Sequence, residues 1–152
     1  MNNLFDLTGK VALITGAGGL LGPQHAEAVL ECGGTVVLTA WHLDRVENKS
    51  DALNREYGSN STVAEYMDVT DATSIKKVIE RHQSINILIN NAGVGRGYGN
   101  LVEAHFDDIE KTIDTNVKAA IYAVRAVLPG MVQRQSGHII NIGSMAGLYP
   151  LA

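Results

Sequence analysis

The stretch Thr15-Gly16-Ala17-Gly18-Gly19-Leu20-Leu21-Gly22 places four glycines within eight residues, directly after the apolar run Val11–Ile14. A glycine-rich turn between a strand and a helix lets backbone N–H groups approach a pyrophosphate, and the helix N-terminus adds a partial positive charge. Gly16 and Gly18 followed by Gly22 come close to a dinucleotide-binding spacing, although three residues rather than two precede the last glycine. Taken alone, such spacing describes a ligand-free tight turn equally well. It is not an ATP-type phosphate loop, because Thr8-Gly9-Lys10 precedes the apolar run and lacks the upstream glycine. Three more polar groups end later apolar runs: Asp68-Val69, Asn90-Asn91-Ala92-Gly93 and Asn141-Ile142-Gly143-Ser144. On parallel strands these groups share the carboxyl edge of the sheet, where open α/β sheets bind ligands.

The elements that must position them follow from periodicity. Apolar runs at 11–14, 35–38, 63–67, 85–89 and 137–142 are predicted strands buried on both faces. Helical patterns lie at 21–32, 43–57 and 71–83, with a long one at 107–135. Right-handed crossovers turn this alternation into a parallel sheet covered on both faces. Asp71 or Thr70 is expected to cap the third helix, Gly33-Gly34 to stop the first, and Pro129-Gly130 to kink or break the fourth near its end. In that fourth helix Ile109, Ile113, Val117, Ala120, Ile121, Val124 and Leu128 form one apolar stripe, whose default meaning is core packing.

Composition narrows the function classes. The 152 residues suffice for one domain, 1–152, with a real core, and 45% apolar against 18% charged residues exclude a disordered or collagen-like chain. A net charge of −4 argues against a nucleic-acid surface. Cys32 is the only cysteine, so no intramolecular disulfide forms, and His25, His42, His82, His105 and His138 show no metal-ligand spacing. There is no basic signal-peptide start and no apolar run of membrane-spanning length. The expectation is a cytoplasmic protein with no metal and no membrane contact.

In order along the chain, Thr15-Gly16 with Gly22, Asp68-Val69, the Asn90 to Gly93 run, Asn116 within Asp114-Thr115-Asn116-Val117, and the strand end leading to Ser144 resemble the short-chain dehydrogenase/reductase family. The resemblance spans the whole chain. It implies a Rossmann-type doubly wound parallel sheet of five strands in the order 3-2-1-4-5. It also implies NAD or NADP as cofactor, and hydride transfer between nicotinamide and a small alcohol or carbonyl substrate. Carried over by position, Gly16, Leu21 and Gly22 cradle the pyrophosphate, and Gly18 belongs to the same cofactor-binding set. Asp68 and Val69 hold the adenine, Asn91, Ala92 and Gly93 line the ribose side, and Asn90 braces strands. Ser144 bonds the substrate oxygen, and Asn116 interrupts its helix to hold a relay water. Read without the family, Asp68 is a turn cap, Asn116 an amide bonded to backbone, and Ser144 a loop serine.

Three departures stand out. Leu20 sits where the family's second loop glycine belongs, with Gly19 one residue early, so a shifted loop path is expected. After the second strand, Ala40-Trp41-His42 carries neither the acid common in NAD users nor the arginine common in NADP users; His42 or Arg45 could meet a 2′-phosphate. Finally, no tyrosine is followed four places on by lysine, so the family's Tyr-x-x-x-Lys proton-transfer pair is absent from these residues. Tyr149 is expected to pack in a loop. The simplest expectation is the N-terminal, cofactor-binding part of a longer homo-oligomeric enzyme, not catalytically competent by itself. It would lack the C-terminal strands, leaving an open fifth strand and an uncovered long helix. The rival is a non-catalytic dinucleotide sensor or scaffold.

Overall fold

The computed structural model describes residues 4–82, 84–95 and 101–147. Tyr149 lies outside them. Strand β1 (Val11–Ile14) leads to helix α1 (Leu21–Glu31), then β2 (Thr35–Ala40), α2 (Leu43–Tyr57), β3 (Thr62–Tyr66), α3 (Ala72–Arg81) and β4 (Ile85–Asn90). Helices α4 (Phe106–Ile113) and α5 (Ala119–Gln133) precede β5 (His138–Asn141). The five strands form one parallel sheet in the order β3-β2-β1-β4-β5, as expected. The register aligns Ile14 with Leu38 and Ile89, and Asn90 with Asn141, so the carboxyl ends of the strands come level.

Local chemistry sets the boundaries. At the end of α1, Gly33 (φ +82°) donates its N–H to Leu30 O, and Gly34 donates to Val29 O. This pair of bonds satisfies the last carbonyls, and only glycine adopts that φ without strain. Asp71 caps α3, its carboxylate accepting from the Thr73 N–H at 2.8 Å. Asp71→Ala is expected to cost about 1 kcal/mol, read as a shift in the urea midpoint. Pro129 does not break α5, which continues through it to Gln133. Pro129 and Arg125 both lie on the exposed side of α5, and the proline leaves the Arg125 carbonyl without its usual i+4 donor.

The core has two layers. Ile14, Leu38, Ala26, Val29 and Val46 pack where α1 and α2 cover one face, and Leu13, Leu88, Ile75, Val78, Ala123 and Val127 pack under α3 and α5 on the other. Fully burying a side chain such as Leu13 or Leu88 contributes about 1.5–3 kcal/mol.

Three expectations are corrected. The long fourth helix is two helices joined by a π turn, Asp114–Lys118. The apolar stripe is not the core face: Val117, Ile121 and Leu128 are 47%, 59% and 43% exposed, while Thr115, Ala119, Ala123, Val127 and Met131 face inward. The inward row recurs every four residues and the stripe mostly at three- and four-residue steps, so both suit one helix face, and the small alanines let the backbone approach the sheet, which apolar spacing does not reveal. Nor are all strands buried on both faces: β3 and β5 lie at the sheet edges, with Val63, Ile140 and Ile142 exposed. Among the described residues no helix covers the α1-side face of β4–β5, leaving a groove lined by His25, Ile87, Ile140 and Ile142.

Candidate functional site

The carboxyl edge is locked by a short network around Thr15, which is only 2% exposed. Its hydroxyl accepts the N–H groups of Asn91 and Ala92, each at 3.0 Å. In return the Asn91 amide donates to Thr15 O at 3.0 Å and Gly16 O at 3.2 Å. The Ala17 N–H donates to Thr39 O at 2.8 Å, and the Thr39 hydroxyl to Ile14 O at 2.9 Å. The ends of β1, β2 and β4 are thereby held as one unit.

The loop glycines divide into different roles. Gly16 has φ +64°, and a Cβ there would lie 2.7 Å from Ala92 Cα, so conformation and close approach both require glycine. Gly22 is buried, and a Cβ there would sit 2.4 Å from Ala17 O. It therefore seats α1 on the loop and is absent from the cleft wall, unlike the cradling position expected of it. Leu20 has helical backbone (φ −70°, ψ −43°), which any residue adopts, so a side chain in place of glycine causes no strain here. No side chain caps the start of α1 and no acid lies in its first turn. Its leading N–H groups and partial positive charge therefore face the loop without a competing anion.

A cleft of about 890 Å³ opens along this edge. It gathers eight residues singled out from sequence: Gly16, Gly18, Leu21, Asp68, Val69, Asn91, Ala92 and Gly93. Trp41, Arg45, Thr70, Lys111 and Thr115 line it as well. Asp68 serves both readings: its Oδ1 accepts from the Thr70 N–H and hydroxyl at 2.9 and 2.7 Å, making a turn, while the residue lines the cleft. Asn90 braces strands as expected, its amide donating to Asn141 Oδ1 at 2.8 Å.

Asn116 and Ser144 lie outside the cleft lining. Asn116 sits in the π turn, so the helix is interrupted where the resemblance placed a break. Its side chain clamps Val94, accepting from N–H at 2.8 Å and donating to O at 3.0 Å. Beside it the Asp114 carboxylate, 2.6 Å from Lys118 Nζ, bonds to that ammonium and raises its pKa above the usual lysine value. Ser144 follows β5 at the start of a 3₁₀ turn, its carbonyl accepting the Gly147 N–H at 3.1 Å. Sequence reasoning did not single out the Thr15 hydroxyl or Lys49, whose Nζ donates to Gly19 O at 3.0 Å. The adjacency of Thr15 to Gly16 was the available signal for the first; Lys49 carried none.

Comparison with known proteins agrees with this architecture. The chain is 40% identical over 146 residues to the NADP-dependent 3-hydroxy acid dehydrogenase of Salmonella typhi, covering 93% of this chain and 57% of that protein. The crystal structure of serine dehydrogenase from Escherichia coli superposes with a TM-score of 0.84 at 36% identity, covering 93% of this chain and 65% of the other. A metagenomic short-chain oxidoreductase in complex with NADP gives a TM-score of 0.88 at 32% identity, covering 96% and 67%. The chain therefore spans little more than half the length of its curated relative. With the short chain dehydrogenase profile matching residues 10–152, the strand order and the glycine loop have one common explanation: this chain belongs to the short-chain dehydrogenase family.

Proposed function

We propose that residues 1–152 form one dinucleotide-binding domain of an NAD(P)-dependent oxidoreductase that moves hydride between nicotinamide and an alcohol or carbonyl carbon of a small molecule. The observation that carries this reading is the cleft at the carboxyl edge of the sheet, lined by Gly16, Gly18 and Leu21 beside a helix start free of caps and acids. The site fits the cofactor on that ground. Gly16, Gly18, Leu21 and the first turn of α1 would hold the pyrophosphate; Asp68 and Val69 the adenine; Asn91, Ala92 and Gly93 the ribose side. When bound, the nicotinamide ring supplies or accepts the hydride. Ser144 would hydrogen-bond the substrate oxygen, and Asn116 would position a relay water at the π turn. NADP in the names of two relatives favours NADP over NAD.

A second reading, a non-catalytic dinucleotide sensor or scaffold built on the same fold, would use the same cleft. Both readings require cofactor binding, so calorimetry comes first. Binding of NADP+ or NAD+ tighter than about 1 mM is expected, and no binding of either rejects both readings. Turnover by a protein continuing past Ala152 with a Tyr-x-x-x-Lys selects the enzyme; a well-folded, cofactor-binding but inactive full-length protein selects the sensor. The lone Cys32 is in keeping with a cytoplasmic enzyme, and the exposed stripe on α4 and α5 with self-association of the whole protein.

A further inference from the structure

Two adjacent glycines, Gly18 and Gly19, form the tip of the loop between β1 and α1. With no side chain to restrict their backbone, ordering them costs more conformational entropy than ordering other residues. Within the loop the Gly19 N–H donates to Gly16 O at 3.1 Å, and from outside it Lys49 Nζ donates to Gly19 O at 3.0 Å. Lys49 is half-buried in the middle of α2, and Arg45, Val46, Ala52 and Leu53, three and four positions away, include no acid. No ion pair along the helix face therefore competes for its ammonium. Among the described residues Gly19 O is its one partner. A trans peptide group is planar, so the Gly19 carbonyl and the Leu20 N–H point in opposite directions. Drawing Gly19 O toward α2 turns the Leu20 N–H away from α2. That N–H meets no acceptor among the described residues, although Gly19 and Leu20 both line the cleft.

We propose that Lys49 is a positioning residue of the glycine loop: from α2 it braces the Gly19–Leu20 peptide in the orientation that leaves the Leu20 N–H free for the cofactor pyrophosphate. The inference rests on the cofactor reading above and gives Lys49 no contact with the ligand. The brace raises affinity by removing loop freedom before the dinucleotide arrives, so that binding does not have to order two glycines. Because the pyrophosphate is common to NAD and NADP, the brace serves both alike and selects neither.

The test compares the chain with Lys49→Met, which keeps an apolar stem without the donor, and Lys49→Arg, which keeps a donor. In calorimetric titrations with NADP+ and NAD+, Lys49→Met is expected to bind each about three- to ten-fold more weakly, by the same factor. Lys49→Arg should recover most of that loss. The urea midpoint of Lys49→Met should stay within about 0.3 M of the parent, which separates a positioning role from a general loss of stability. Nitrogen-15 relaxation of the ligand-free chain separates the brace from a direct attraction between ammonium and ligand. Backbone order parameters at Gly19 and Leu20 should fall in Lys49→Met from about 0.85, that of rigid backbone, toward about 0.6. Unchanged affinity, weaker binding with unchanged order parameters, a loss confined to one cofactor, or a midpoint that falls in step with affinity overturns the inference while leaving the dinucleotide site intact. Failure of the parent to bind either cofactor overturns the cofactor reading itself, and the inference with it.

Discussion

Gly22→Ala is expected to destabilise the chain by about 2–3 kcal/mol, although it adds one methyl group to a helix and would ordinarily favour helix formation. The methyl would lie 2.4 Å from Ala17 O and 2.5 Å from Ala17 Cα, and these are backbone atoms. Ala17 cannot step aside cheaply, because it is fully buried and its N–H is held by Thr39 O at 2.8 Å. The loop or the first turn of α1 must move instead, disturbing the leading N–H groups proposed to hold the pyrophosphate. Urea unfolding should show the midpoint falling by roughly 1–2 M, and calorimetry a weaker affinity for NADP+. Gly95→Ala is the control: among the described residues nothing lies within 4 Å of a Cβ there and its φ is unexceptional, so a change within about 0.5 kcal/mol is expected. Equal stability of the two variants would show that the α1–loop contact is not tight.

Thr15→Val should cost about 2–4 kcal/mol at nearly constant volume. The hydroxyl accepts two N–H groups, those of Asn91 and Ala92, at a site only 2% exposed. Removing it leaves two part-buried donors without this partner, and each such loss costs up to about 1–3 kcal/mol. Thr15→Ser retains the acceptor and should lose much less. Because Asn91 also holds Thr15 O and Gly16 O, the valine variant should speed hydrogen exchange at Asn91 and Ala92 together. Slow exchange at both in the variant would show that other contacts hold the β1 and β4 ends.

Much of the architecture was legible from residue types alone. Short apolar runs alternating with helical patterns imply parallel strands, and right-handed crossovers then leave few possible sheets. The residues just after each run, Gly16 and the polar Asp68, Asn91 and Ser144, necessarily fall at one edge, because parallel strands share a carboxyl end. Helix ends such as Asp71 and Gly33-Gly34 were readable because capping depends on neighbours within a few residues.

Other features depended on residues far apart in the chain. The spacing of Val117, Ile121 and Leu128 marks an apolar face of a helix but not which of two such faces meets the sheet; the alanine row does, because it permits the closer approach. Gly22 resembles a ligand-facing loop glycine in sequence, and only its contact with Ala17 shows it to be a packing glycine. Asn116 is marked by sequence as a helix interruption, yet its bonds to Val94, 22 positions away, depend on where the loop after β4 lies. Local pattern thus determined most of the elements, their order along the chain and the edge that carries the polar groups. The tertiary structure alone decided which side chains meet across that edge, because contacts such as Asn91 with Thr15, 76 residues apart, exist only once separate elements have packed.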